Sequence, residues 1–176
     1  MNIFILNSGR CGSSTFIKAC KHISNYTSAH ESLLCKTGAQ RFDYPVNHIE
    51  ADNRLSWLLG RLDNAYGNNA FYVHLKRNRA DTANSFSKRI DFGILKAYEQ
   101  GILMHEQHIN SALEIANDYI ETVDANINCF LKDKSKKLDI DLQSVKTDFT
   151  KFWQQIDAQG NLQQALSEWD IAYNAS

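Results

Sequence analysis

The sequence predicts an α/β domain, a mainly parallel sheet flanked by helices, and three observations carry that expectation. Two short runs, Ile3-Phe4-Ile5-Leu6 and Ala70-Phe71-Tyr72-Val73-His74-Leu75, have the apolar, β-branched and aromatic content of strands buried on both faces. Segments with helical apolar spacing separate and follow them, the alternation that produces parallel strands with crossover helices. At 176 residues, 43% of them hydrophobic, the chain can bury one good core and is short for two, so residues 1–176 are expected to form a single domain.

Taken in order, the first run is followed by Asn7-Ser8-Gly9-Arg10-Cys11-Gly12-Ser13-Ser14-Thr15, where two glycines permit a tight turn and the hydroxyls stand at a helix start. Ser13 to Ile23 carries Phe16, Ile17, Ala19, Cys20 and Ile23 on one helical face. Asn25 to Ala29, ending in the polar His30-Glu31-Ser32, reads as a second short strand. Residues 36–47 hold Gly38 and the only proline, Pro45, and read as a loop suited to a rim or lid. His48 to Asn64 shows helical spacing through Ile49, Leu55, Leu58, Leu59 and Leu62, and Tyr66-Gly67-Asn68-Asn69 breaks it before the second clear strand. A polar helix is expected from Arg79 to Lys88, and one or two long helices from Gly93 to Asp124. Asn128 to Leu131 and Leu138 to Leu142 read as short strands around the basic turn Lys132 to Lys137, and helices near Val145 to Ile156 and Leu162 to Trp169 close the chain.

Composition excludes several classes. Lys plus Arg is 19 and Asp plus Glu is 20, so no global basic field points to nucleic acid or an anionic membrane, and an anion must be held by a local site. No stretch approaches the roughly 18 apolar residues of a membrane span. Cys11, Cys20, Cys35 and Cys129 form neither a C-x-x-C pair nor a metal-ligand spacing and read as reduced thiols. A soluble, cytoplasmic protein without a bound metal is the expectation, and nothing in the sequence assigns an oligomeric state.

A strand, a glycine-rich loop and a helix start gather backbone N–H groups and the positive end of a helix dipole around one point, a natural cradle for an anion. In an open parallel sheet that point lies beyond the carboxyl ends of the strands, where residues following Phe71 to Leu75 also emerge if the two strands are parallel neighbours. Arg77 stands there, with Ser85 eight residues later on one helical face, so that a guanidinium and a hydroxyl are placed to clasp a second phosphate. The plainer reading makes Lys76, Arg77 and Arg79 a solvated basic patch, although positive charge at a helix start is disfavoured by the dipole.

Ser8-Gly9-Arg10-Cys11-Gly12-Ser13-Ser14 after an N-terminal strand, paired with Lys76-Arg77-Asn78-Arg79-Ala80-Asp81-Thr82-Ala83-Asn84-Ser85 after a later one, resembles the sulfotransferases that use 3'-phosphoadenosine 5'-phosphosulfate (PAPS). The resemblance is close over residues 3–31 and 70–88 and looser over 149–176. It implies a compact architecture like that of P-loop NTPases, PAPS as co-substrate, 3',5'-ADP (PAP) as product, and transfer of the sulfuryl group to a hydroxyl or amine acceptor that the sequence does not identify. By the same resemblance Gly9, Arg10, Cys11, Gly12, Ser13, Ser14 and Thr15 form the phosphosulfate loop, and Arg77 and Ser85 hold the 3'-phosphate. Arg10 falls where the family has a basic residue beside the transferred group, and an arginine there is closer to the tyrosylprotein and carbohydrate enzymes. In the tyrosylprotein group a Glu after the second strand is the base; Glu31 is similarly placed, and its neighbour His30 is a second candidate because imidazole titrates near neutrality. Three features depart from the family: Arg79 replaces the proline that commonly follows Arg-Asn, the Arg-Lys-Gly element is missing, and Thr15 replaces an aromatic residue that some members stack on adenine.

Two competing classes remain beside that enzyme. A non-catalytic module could retain the nucleotide site in a reduced fold, and a phosphotransferase would need G-x-x-x-x-G-K-[ST], which the loop does not satisfy because Ser13 follows Gly12. The dinucleotide fingerprint G-x-G-x-x-G is absent as well. His105 and His108 have an i, i+3 spacing that suits either a metal pair or a polar helix patch. Cys11, beside Arg10 at a helix start, is a setting that lowers a thiol pKa, against the plainer reading of a packing residue. His74 reads as a core or cleft residue, and Trp57, Trp153 and Trp169 read as core.

Overall fold

A computed structural model describes residues 1–104 and 110–171. Five strands, β1 (Ile3–Leu6), β2 (Thr27–His30), β3 (His48–Ala51), β4 (Phe71–Lys76) and β5 (Lys137–Asp141), form one sheet in the order β2-β3-β1-β4-β5. Every pairing is parallel, with Ile3 opposite Ile49 on one side and Phe71 on the other. The helices are α1 (Ser13–Cys20), α2 (Leu59–Tyr66), α3 (Arg79–Ser87), α4 (Gly93–Gly101), α5 (Ala112–Leu131), α6 (Val145–Gln155) and α7 (Leu162–Ser167). The expected α/β architecture, parallel and compact, is the one observed.

β1 shows why its sequence is continuously apolar. Ile3 and Ile5 point into a core with Phe16 of α1 and Phe149 and Phe152 of α6, whereas Phe4 and Leu6 point into a second core with Leu55, Leu62 and Tyr119, and all four strand residues are fully buried. Helices on both faces leave the carboxyl edge of the sheet as the place where β1, β2, β3 and β4 release their following residues.

Three expectations are corrected. His48–Ala51, expected to begin a helix, is β3, inserted between β1 and β2; the helical spacing of the leucines becomes a 3-10 segment over Asn53–Trp57 and then α2. His48 and Glu50 made this strand hard to see, because they are buried polar residues that bond to one another at 3.0 Å. Asn128–Leu131 is not a strand but the last turn of α5, where Ile127 and Leu131 complete the buried stripe begun by Ile115, Tyr119 and Val123. Residues 36–47 are not a free rim or lid: Arg41, Phe42 and Tyr44 are buried, and Arg41 pairs with the fully buried Asp52 while donating to the Tyr44 hydroxyl at 2.9 Å.

Gly93 to Asp124 divides into α4 and α5, and α5 starts at a capping box in which Ser111 and Glu114 bond reciprocally. His105 and His108 lie outside the described residues, and among the described residues no group of His, Cys, Asp and Glu could hold a metal ion. No helix among them is long and apolar enough to cross a membrane.

Candidate functional site: a cleft at the carboxyl edge of the sheet

The loop between β1 and α1 turns through three left-handed residues, Gly9 at φ +100°, Arg10 at φ +59° and Gly12 at φ +81°. Glycine adopts such angles freely, whereas for arginine the conformation carries strain that the surroundings must hold. They hold it by the carbonyls. Asn7 O accepts from Ser56 Oγ at 3.1 Å, Ser8 O from the Tyr119 hydroxyl at 2.7 Å, Gly9 O from the Cys11 thiol at 3.1 Å and Arg10 O from Arg77 Nη1 at 3.2 Å. These four carbonyls are thus occupied, and the Gly9 N–H donates to Asn7 Oδ1 at 2.8 Å. Gly12 is the N-cap of α1 and supplies no side chain to cap it, so the first-turn N–H groups stand open at the positive end of the helix dipole. Ser13 and Ser14, expected at the helix start, are its first two residues.

These residues line a cleft of about 810 Å³ that also receives Thr15, His30, Glu31, Arg77 and Ser85, so the structure brings together every site residue expected from sequence except Cys11. That volume is in the range of sites that take a nucleotide-sized ligand. Cys11 is buried beneath the loop, and burial pushes its thiol up to about 11, which favours the packing reading over an activated thiol.

The second clasp is crossed with the first. Because β4 lies beside β1 in parallel, Arg77 emerges next to the loop, and α3, capped by Asn78, presents the buried Ser85 toward it. Arg77 donates to the Arg10 carbonyl, while Arg10 Nε donates to Ser85 Oγ at 3.0 Å. Lys76 and Arg79 instead pair outside the cleft with Asp139 and Glu121, each at 2.7 Å. Only the middle member of the basic trio therefore serves the cleft. Arg89 joins Arg10 and Arg77 here; partial burial, then the like charges of Arg89 and Arg77, lower the Arg10 guanidinium from its ordinary pKa. Like charges gathered in this way suit an anion of more than one charge.

The two base candidates stand at the end of β2 and just past it, and β2 lies on the other side of β1 from β4. His30 Nε2 lies 2.9 Å from Ser13 Oγ, tying the end of β2 to the loop. Glu31, left-handed at φ +54°, accepts from Arg54 Nη1 at 3.0 Å. Arg54 itself is placed by Asp52, whose carboxylate accepts its backbone N–H at 2.9 Å.

Sequence reasoning missed Arg54, Asn53, Arg89 and Trp169, all of which line the cleft. Arg89 had a readable signal, since it lies one helical turn beyond Ser85 on the same face. Asn53 and Arg54 were hidden by the misread β3. Trp169, expected in the core, packs on Phe16 and Phe149 with ring centroids 6.0 Å away and also forms part of an apolar wall with Leu142 and Val145.

No family model and no curated protein matches the sequence. The fold matches a solved structure, a sulfotransferase domain from the curacin biosynthetic pathway, with a TM-score of 0.62 and 13% identity over 93% of this chain and 76% of that one. The chain is thus similar in fold to a sulfotransferase domain, and the cleft lies at the carboxyl edge of this chain's parallel sheet.

Proposed function

We propose that the protein is a PAPS-dependent sulfotransferase, transferring a sulfuryl group to a hydroxyl or amine acceptor. The observation that carries the reading is the crossed clasp: the uncapped start of α1 and the Arg77–Ser85 site beside it, joined through Arg10, suit a ligand with two anionic groups. The residues present fit PAPS. The loop N–H groups with Ser13 and Ser14 would hold the 5'-phosphosulfate, and Arg77, Ser85 and Arg89 the 3'-phosphate. The apolar wall of Leu142, Val145 and Trp169 offers a surface for a base where Thr15 does not.

PAPS supplies an activated sulfuryl group, and the chain must do three things around it. Glu31 would take the acceptor proton as the acceptor oxygen or nitrogen bonds to sulfur. The loop would fix the donor in line. Arg10 would stabilise the charge left on the departing phosphate as the sulfur–oxygen bond breaks. A preorganised charge in that position is worth on the order of 3 kcal/mol of barrier, about a hundredfold in rate.

One observation favours a second reading, a nucleotide-binding module without turnover: both base candidates already have partners, Glu31 in Arg54 and His30 in Ser13. Release of PAP from PAPS, with water or a panel of phenols, sugars and amines as acceptor, separates the two. The enzyme reading expects turnover that falls about a hundredfold in Arg10→Ala. PAP binding without any turnover would establish the module instead.

A further inference from the structure

We propose that Glu50, a fully buried carboxylate on β3 outside the cleft lining, is a positioning residue that holds Glu31 in its left-handed conformation at the cleft edge. This assignment rests on the proposed sulfuryl-transfer reading, in which Glu31 takes the acceptor proton. The strand ladder of β2 and β3 ends where Glu31 N–H donates to Ala51 O at 3.0 Å. There the chain turns through φ +54°, a conformation that a glutamate adopts only against strain.

The turn carries the next N–H, that of Ser32, off the ladder and onto Glu50 Oε1 at 2.8 Å, while the Ser32 hydroxyl donates to Oε2 at 2.6 Å. Oε2 also receives His48 Nε2 at 3.0 Å, and His48 Nδ1 lies 2.8 Å from Thr27 Oγ1. A chain of polar groups, buried at His48 and Glu50 and exposed at Thr27 and Ser32, thus runs along β2 from its first residue to just past its last. Ordinary strand pairing does not need it, because the backbone register from Thr27 opposite His48 to His30 opposite Ala51 is already complete. A carboxylate with 0% exposure is expensive to bury and is retained where its donors do specific work. Here the donors sit on the residue that follows the strained one. Asp52, just past the end of β3, acts in parallel by fixing Arg54, which holds the Glu31 side chain.

Thermal unfolding of the full chain tests the assignment without requiring turnover. The difference in Tm between Glu31→Gly and Glu31→Gln reports the cost of the left-handed backbone, since only glycine relieves it. That difference should shrink by about half or more when the same pair is made in Glu50→Gln, where the turn is free to relax. Ser32→Ala, which removes only the hydroxyl bond, should shrink it in the same direction and serves if Glu50→Gln does not fold. In PAPS turnover, Glu50→Gln should lower kcat about tenfold or more with the KM for PAPS unchanged, and add little to Glu31→Gln. A Tm difference that stays the same in both backgrounds, or a rise in KM with kcat intact, would overturn the positioning role. If wild type fails to bind PAP, the proposed function falls, while the Tm comparison still decides whether Glu50 holds the turn.

Discussion

Arg77 Nη1 donates to the backbone carbonyl of Arg10 at 3.2 Å. The guanidinium expected to hold a distant phosphate is therefore also one of the groups that hold the loop between β1 and α1 in shape, and the two halves of the site are mechanically one.

Arg77→Ala should consequently weaken binding of both PAP and 5'-AMP, which lacks the 3'-phosphate. The expected loss is about a hundredfold for PAP, where a charged hydrogen-bond donor worth about 2–3 kcal/mol disappears, and a smaller one for 5'-AMP through the loosened loop. Ser85→Ala should weaken PAP by about tenfold and 5'-AMP less, through release of the Arg10 side chain. Calorimetric titration of both nucleotides against both variants reads the asymmetry.

Gly12→Ala should damage binding more than stability. Gly12 sits at φ +81°, and an added Cβ would lie 3.1 Å from a methyl of Leu142, so the turn must open or Leu142 must shift. The left-handed backbone alone costs about 1–2 kcal/mol for a residue with a Cβ. A Tm drop of a few degrees together with loss of the PAP-induced Tm rise is the expected pattern.

The loop was readable from sequence because its signals are local. Glycines, hydroxyls and a preceding apolar strand are adjacent, and the Arg77-to-Ser85 offset lies within one strand–helix unit. β3 was not readable, because His48 and Glu50 break the apolar pattern of a buried strand and are satisfied by each other and by Thr27 and Ser32, partners from a different strand and its exit. That single misreading hid Asn53 and Arg54, which become cleft residues only once β3 ends beside β1 and β2. Nor could spacing announce left-handed Arg10 and Glu31, since neither is a residue type that favours such angles.

Cys11 should stand apart from the exposed thiols Cys35 and Cys129. Its folded pKa of about 11 lies above the ordinary thiol value, so the folded state favours the neutral thiol. This contribution to stability is fully present below about pH 9 and lost as pH rises through about 11. Two pH units correspond to about 2.7 kcal/mol, and Cys11→Ser, which has no group titrating there, should show a correspondingly flatter loss of stability over that range. Iodoacetamide at neutral pH should modify the exposed Cys35 and Cys129 and spare Cys11 in the folded chain.

Ser111→Ala should lower stability by about 1 kcal/mol, because it removes the hydroxyl that accepts the Glu114 N–H at 3.3 Å at the start of the longest helix. Denaturant unfolding should register this as a lower midpoint with an unchanged slope. PAP affinity should not move, since Ser111 and Glu114 lie outside the cleft lining.

Direct titration of the protein with PAP, in parallel with 5'-AMP and ATP, tests the two-point clasp most directly. PAP is expected to bind at least about a hundredfold more tightly than 5'-AMP, a difference of about 2.7 kcal/mol for engaging the Arg77–Ser85 site, and more tightly than ATP. Equal affinity for PAP and 5'-AMP, or a preference for ATP, would contradict it.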